Sequence, residues 1–162
     1  MKRTELKRRT PLKAKTQKRK RAPRDPLDDV FSEFVRRRAL ARVGGCERCL
    51  SQKHDTTRED GTTRPAYMDL QCSHYIGRST KATRWDEDNC AGLCGACHMY
   101  LEHNPHEHQA WFLQHLGQEA YDMLQARRRQ GAKPDRATLG IYYKCQLHVL
   151  KAGAYIEHGT HR

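Results

Sequence analysis

The chain has 162 residues, a length that suits one domain with a tail, and its formal net charge is +12. Leu, Ile, Val and Phe make up about 15% of the residues, below the roughly 20% at which a strongly charged chain risks disorder. The composition therefore excludes a large hydrophobic core. No apolar run approaches the ~18 residues of a transmembrane helix, so no membrane partner is expected.

The excess positive charge lies at the N-terminus. Residues 1–24 hold 12 Lys and Arg residues and one acid, Glu5, whereas residues 25–162 carry 19 cations and 18 acids. Because like charges at this density repel one another, we predict a disordered basic tail over residues 1–24. We interpret the tail as an arm that binds nucleic acid phosphates. A tail that only aids solubility and an Arg-rich mitochondrial transit peptide are the alternatives.

Helices are predicted on both sides of a central region. Asp25 followed by Pro26 is typical of a helix start, and Gly44 is typical of a helix end. The later segment is one helix or a pair broken near Gly117. The helices are expected over about residues 26–43, 105–129 and 135–151. Residues 152–162 are predicted to fray.

The central region, about residues 46–103, is rich in Cys, His and turn-forming residues. Ala66–Cys72 and Lys81–Trp85 are predicted as short strands on either side of His74. A helix is predicted to begin near Leu93–Gly95 and to run to about Glu102. Residues 51–65 are predicted to form a polar surface loop.

Four cysteines in two C-x-x-C pairs predict a structural zinc site. They are Cys46, Cys49, Cys94 and Cys97. Four thiolates satisfy tetrahedral Zn²⁺ at about 2.3 Å each and leave no open coordination position, so the zinc is expected to stabilise the fold. Replacement of one ligand by Cys72, Cys90 or His98 is an alternative, as are four unrelated buried cysteines or a redox pair.

A series of His74, Asn89 and His98 overlaps the second cysteine pair. The run from Asn89 to His98 resembles the C-terminal half of HNH endonucleases, the His-Me finger or ββα-metal fold. A closer resemblance is to the phage NinG/Rap recombination proteins. That resemblance is carried by residues 72–77, 84–97 and 118–124.

The resemblance implies a role for each of these residues. His74 would be the general base that takes a proton from the attacking water, because imidazole titrates near neutral pH. Asn89 would orient the loop that carries His74. His98 would help to hold a catalytic divalent metal, Mg²⁺ or Mn²⁺, that stabilises the leaving oxygen. Arg78 and Arg84 are expected to grip DNA phosphates.

One position departs from the family pattern. Many HNH enzymes have Asp, a metal ligand, directly before the base, whereas this chain has Ser73. Because Mg²⁺ prefers carboxylate oxygen, the missing ligand is expected from Asp69, Asp86 or Asp88, or is absent.

We therefore expect an α+β protein with a small zinc-anchored ββα-metal core, flanked by helices, over residues 25–151. The expected function is metal-dependent DNA cleavage. The resemblance implies branched recombination DNA as the substrate and the cytoplasm of a phage-infected bacterium. Resolution of a four-way junction would favour a homodimer, because two strands must be cut. A catalytically inactive zinc-finger DNA-binding recombination accessory protein is the alternative, and an RNA-binding zinc protein is a third interpretation.

Overall fold

The computed structural model describes residues 25–153, and over this range the protein is mixed α+β. The predicted tail over residues 1–24 lies outside the described residues, as does most of the segment predicted to fray. The described helices are α1 (Pro26–Val43), α2 (Gly95–His103), α3 (Pro105–Leu116), α4 (Gln118–Gln130) and α5 (Arg136–Lys151). The strands are β1 (Thr56–Thr57), β2 (Thr63–Arg64), β3 (Leu70–His74) and β4 (Cys90–Cys94).

Helix α1 has the bounds that its sequence signals predict. The Asp25 carboxylate accepts a hydrogen bond from the Leu27 backbone N–H at 3.1 Å, which caps the first turn. Gly44 ends the helix in the left-handed conformation, with φ 70°, where its amide donates to the Leu40 carbonyl. The buried face of α1 consists mainly of Leu27, Phe31, Phe34, Val35 and Ala39.

The segment predicted over residues 105–129 is a pair of helices, α3 and α4. They are separated at Gly117, whose φ of 80° and ψ of 161° lie where a residue with a side chain is strained. The alternative of a pair broken at this glycine is therefore confirmed. Helix α5 begins as predicted, because Asp135 accepts hydrogen bonds from the backbone N–H groups of Ala137 and Thr138.

The central region is built on the antiparallel hairpin of β3 and β4, followed directly by α2. Leu70 pairs with Cys94 at one end of the ladder, and His74 pairs with Cys90 at the other. The first predicted strand begins later than expected, because Ala66–Asp69 is a short 3₁₀ helix. The predicted polar loop over residues 51–65 carries the small β1–β2 hairpin.

The strand predicted over Lys81–Trp85 is wrong, since Lys81–Thr83 forms a 3₁₀ turn. Thr83 and Trp85 are buried in this loop, and both bond to side chains of other segments. The Asn89 amide donates to the Thr83 carbonyl at 2.8 Å. The Asp28 carboxylate accepts from the indole N–H of Trp85 at 2.8 Å. The loop therefore buries Thr83 and Trp85 without forming a strand.

The hairpin packs on helices through two clusters. In one, α1 and α5 enclose Cys72, Trp85 and Cys90 with aromatic side chains such as Phe31 and Tyr143. In the other, Leu70, Ala91 and Leu93 meet residues of α2 and α3. Across residues 25–153, none of the helices combines the length and apolarity required to span a bilayer.

Candidate metal centre and histidine site

The four cysteines of the two C-x-x-C pairs meet in space. The sulfurs of Cys46, Cys49, Cys94 and Cys97 all lie within 4.8 Å of one another. The Cys49 and Cys94 Sγ atoms are 3.8 Å apart. Tetrahedral Zn²⁺ with bonds of about 2.3 Å separates its sulfurs by about 3.8 Å. The cluster is therefore compatible with one structural zinc ion.

The turn that carries Cys46 and Cys49 is shaped for such an ion. The Leu50 N–H donates to the Cys46 carbonyl at 2.9 Å, and the Cys46 N–H donates to the Ser51 carbonyl at 3.1 Å. Leu50 has a φ of 57°, which closes the turn. Hydrogen bonds, first the one from the Ser51 backbone N–H, lower the pKa of Cys49 to about 7, toward the thiolate that binds metal, whereas burial raises the pKa of Cys46 in the same turn.

The second pair lies where β4 passes into α2. Cys94 ends the strand and Cys97 lies in the first turn of the helix. The Arg48 guanidinium donates to the Cys97 sulfur at 3.7 Å and adds positive charge beside the thiols. The alternatives in which Cys72, Cys90 or His98 replaces a zinc ligand receive no support, because none of these residues belongs to the four-cysteine cluster.

A buried glutamate fastens the first pair to the hairpin. The Glu47 backbone N–H donates to the Gly92 carbonyl at 3.0 Å, and the Gly92 N–H donates to the Glu47 carboxylate at 2.6 Å. The Glu47 side chain is only 1% exposed, and Arg42 lies 3.6 Å away as its ion partner. Sequence reasoning missed this contact, because a glutamate inside a C-x-x-C turn gives no signal of its own.

His74 ends β3 with its side chain on the inner face of the hairpin. Its Nε2 lies 3.0 Å from the Arg84 carbonyl oxygen. Because a carbonyl only accepts, Nε2 carries the proton and Nδ1 keeps its lone pair. The ring lies 6.1 Å from Phe31. Burial, and next the charge of Arg78, lower the pKa of His74 to about 4 despite nearby carbonyls that raise it.

Asn89 holds the loop between His74 and β4 with three hydrogen bonds. Its oxygen accepts from the Ile76 N–H at 2.7 Å. Its amide donates to the Ile76 carbonyl at 2.9 Å and to the Thr83 carbonyl at 2.8 Å. The residue is fully buried, so its amide replaces water for three backbone groups.

His98 contacts β3 through Ser73, the residue directly before His74. Its Nδ1 is 3.1 Å from the Ser73 hydroxyl, and its Nε2 is 3.3 Å from the Glu102 carboxylate. It lines a cleft of about 290 Å³ between α1 and β3. The polar residues that line this cleft are Asp29, Ser32, Arg36, Gln71, Arg78 and His98. His74 is not among the lining residues.

The two predicted phosphate-binding arginines have different surroundings. The Arg84 guanidinium is held by the Asp28 carboxylate at 2.5 Å and 3.0 Å, and its side chain is 28% exposed. Burial opposes ionisation of Asp28, but hydrogen bonds from Arg84 and Trp85 outweigh it and lower the pKa. Arg78 is exposed and lines the cleft beside His98. Arg78 is thus the better placed of the two to meet a phosphate.

The three carboxylates expected as metal ligands have arginine partners. Asp69 pairs with Arg64 at 2.8 Å. Asp86 and Asp88 both pair with Arg127 at 2.6 Å. None of the three lines the cleft that contains His98.

Two carboxylates near His98 were missed by sequence reasoning. Glu102 is four residues further along α2, and a spacing of four on a helix places two side chains together. That spacing was a signal in the sequence. Asp29 reaches the cleft from α1. No sequence signal joins it to His98, because the two residues are distant in the chain.

The chain has no significant match among protein-family models, curated proteins or solved structures.

Proposed function

We propose that residues 25–151 form a metal-dependent DNA endonuclease domain of HNH type. The observation that carries the proposal is the order of β3, β4 and α2, a hairpin followed directly by a helix. His74 ends the first strand, Asn89 directly precedes the second, and His98 lies in the helix. The HNH motif has its base, its loop-orienting asparagine and its metal-binding histidine in this order.

The chemistry of His74 supports its role as the general base. The Arg84 carbonyl occupies Nε2–H and leaves Nδ1 as the atom that accepts a proton from water. The lowered pKa keeps the ring neutral at pH 7, so it is ready to accept that proton. Asn89 supports the base indirectly, since it fixes the loop that starts two residues after His74.

The surroundings of His98 fit a hard divalent cation. Two ligands on adjacent positions of octahedral Mg²⁺ are about 3.0 Å apart, and the His98 Nε2 and Glu102 oxygen atoms are 3.3 Å apart. Asp29 on the same cleft supplies a second carboxylate. Mg²⁺ usually keeps several waters, so few protein ligands suffice. When bound, such an ion stabilises the negative charge on the leaving 3′ oxygen.

DNA is the proposed substrate because the cations lie where a phosphate backbone could be bound. Arg78 and Arg36 line the cleft with His98. The basic tail, with its 12 cations, adds affinity that does not depend on sequence. The resemblance to NinG/Rap proteins favours branched recombination DNA over linear duplex.

The decisive experiment measures cleavage of linear, nicked, flapped and four-way DNA with Mg²⁺ and with Mn²⁺. His74→Ala is expected to lower the rate by roughly 10²-fold or more, because a general base contributes about that much. His98→Ala is expected to raise the metal concentration required. His103→Ala is the matched control, since His103 is an exposed histidine of the same helix whose ring bonds the Met99 carbonyl.

The result that contradicts the proposal is equal cleavage by His74→Ala and the parent protein. Absence of cleavage on every DNA with every divalent metal supports a second candidate function, a zinc-anchored DNA-binding recombination accessory protein. Two observations favour that candidate. Ser73 occupies the position of the usual carboxylate, and His74 packs against Phe31 and does not itself line the cleft.

A further inference from the structure

A second group of metal-ligating atoms lies on the inner face of the hairpin. Cys72 and His74 are two apart on β3, and Cys90 is the direct cross-strand partner of His74. Side chains two apart on a strand share a face, so the register brings all three together. Their ligand atoms all lie within 4.8 Å of one another, as do the sulfurs of the four-cysteine cluster. This arrangement is separate from the structural zinc site.

We propose that Cys72, His74 and Cys90 form a second metal site that takes a thiophilic cation, with Zn²⁺ as the occupant. Two thiolates and an imidazole are ligands that soft and borderline metals prefer, whereas Mg²⁺ prefers oxygen. Three protein ligands leave one coordination position of tetrahedral zinc for water or another small ligand. The site differs in this respect from the closed site of four cysteines.

The surroundings of the three residues fit a bound ion. Zn²⁺ with two thiolates and a neutral imidazole has no net charge, which suits burial among Phe31, Trp85 and Tyr143. The Arg38 guanidinium donates to the Cys90 carbonyl at 2.7 Å, which holds the backbone that carries this ligand. Metal-bound histidines commonly donate their other ring N–H to a carbonyl, and His74 makes such a bond to Arg84.

The second site has a consequence for cleavage that rests on the proposed function. A zinc ion on His74 uses the lone pair that would otherwise accept the proton from water. Occupation of this site and general-base catalysis are therefore mutually exclusive. Zinc above one equivalent per chain is expected to stop cleavage, while the first equivalent at the four cysteines only stabilises the fold.

The test counts Co²⁺ bound by the reduced, full-length protein from its thiolate charge-transfer absorption. The parent is expected to bind two ions per chain, and Cys90→Ser is expected to bind one. The remaining ion in Cys90→Ser also shows that the four-cysteine site is folded. Cys145→Ser is the matched control, because Cys145 is exposed and belongs to neither cluster, and it is expected to bind two ions.

A parent protein that binds one ion, or a Cys90→Ser variant that still binds two, overturns the proposal. If Cys90→Ser fails to fold, Cys72→Ser and His74→Ala give the same count by removing the other ligands. A cleavage assay with added Zn²⁺ is read separately. Inhibition of the parent and of Cys145→Ser, but not of Cys90→Ser, supports the regulatory consequence. Cleavage that persists with two ions bound refutes that consequence. A protein that binds two ions and never cleaves refutes the nuclease and leaves the metal site standing.

Discussion

Replacement of Asn89 by Ala is expected to destabilise the protein by about 3–5 kcal/mol. The side chain makes three hydrogen bonds to the Ile76 and Thr83 backbone and is fully buried. Each hydrogen bond contributes about 0.5–1.5 kcal/mol net, and each buried group left without a partner costs about 1–3 kcal/mol. Three lost partners at about 1–1.5 kcal/mol each, where the two ranges overlap, give about 3–5 kcal/mol.

The measurement is urea unfolding followed by circular dichroism at a fixed Zn²⁺ concentration, since metal binding shifts apparent stability. Asn104→Ala is the matched control. Asn104 makes one exposed side-chain hydrogen bond, to the Tyr100 carbonyl at 2.7 Å, so its replacement should cost less than about 1 kcal/mol. Asn89→Asp is a second probe. It keeps an acceptor for the Ile76 N–H but turns a carboxylate oxygen toward two carbonyls.

The reasoning is refuted if Asn89→Ala costs no more than Asn104→Ala. Equal stability of Asn89→Asp and the parent at pH 7 would also contradict it, because the two amide donors would then contribute nothing. Cleavage adds an independent readout. Asn89→Ala should slow it less than His74→Ala, since loss of orientation leaves the base itself in place.

Three further predictions concern the metal, the base and the packing of the hairpin. Cys97→Ser should lose the structural zinc ion and the cooperative unfolding transition, because metal binding contributes directly to folding. Metal analysis and thermal unfolding measure these two losses. An unchanged unfolding transition would contradict the prediction. Burial lowers the pKa of His74 to about 4, so the base stays unprotonated as the pH falls below 6.5. Cleavage at saturating Mg²⁺ should therefore decline only near pH 4. A decline centred between pH 6 and 7 would show a base with an ordinary pKa. Gly92→Ala should destabilise the fold by about 1–3 kcal/mol in urea unfolding, because the new Cβ would lie 2.4 Å from the Cβ of Ala39. Gly140→Ala is the control, since it has open space around it and should be neutral or stabilising. A smaller cost for Gly92→Ala in an Ala39→Gly background would identify that contact as the cause.

Local chemistry explains which parts of the fold were predictable. The start and end of α1 depend on Asp25, Pro26 and Gly44, whose effects act within one turn. The four-cysteine cluster depends on spacing within two short turns, which the sequence displays directly. The break between α3 and α4 follows from the conformation of a single residue, Gly117.

The features that were missed depend on contacts between distant segments. Thr83 and Trp85 are buried at alternate positions, as in a strand, but their segment contains a 3₁₀ turn and is held by hydrogen bonds to Asn89 and Asp28. Glu47 fastens the first cysteine turn to Gly92, which lies 45 residues away. Asp29 meets His98 at a cleft that exists only after α1 has packed on the hairpin. The sequence alone does not show which of these distant residues lie side by side in the fold.

The cysteine cluster also changes how the chain is connected. A metal ion bound by both Cys49 and Cys94 would close residues 50–93 into a ring. A single peptide-bond break at the exposed tip of that ring, near Gly61, would then leave one molecule, because the coordination bonds and the packing of α1 on the hairpin join the residues before the break to those after it. Removal of the metal would take away the coordination bonds but leave the packing of α1 against β3, β4 and α5. The tip is therefore a place where residues could be inserted or the chain cut without releasing α1 and the first cysteine pair from the hairpin.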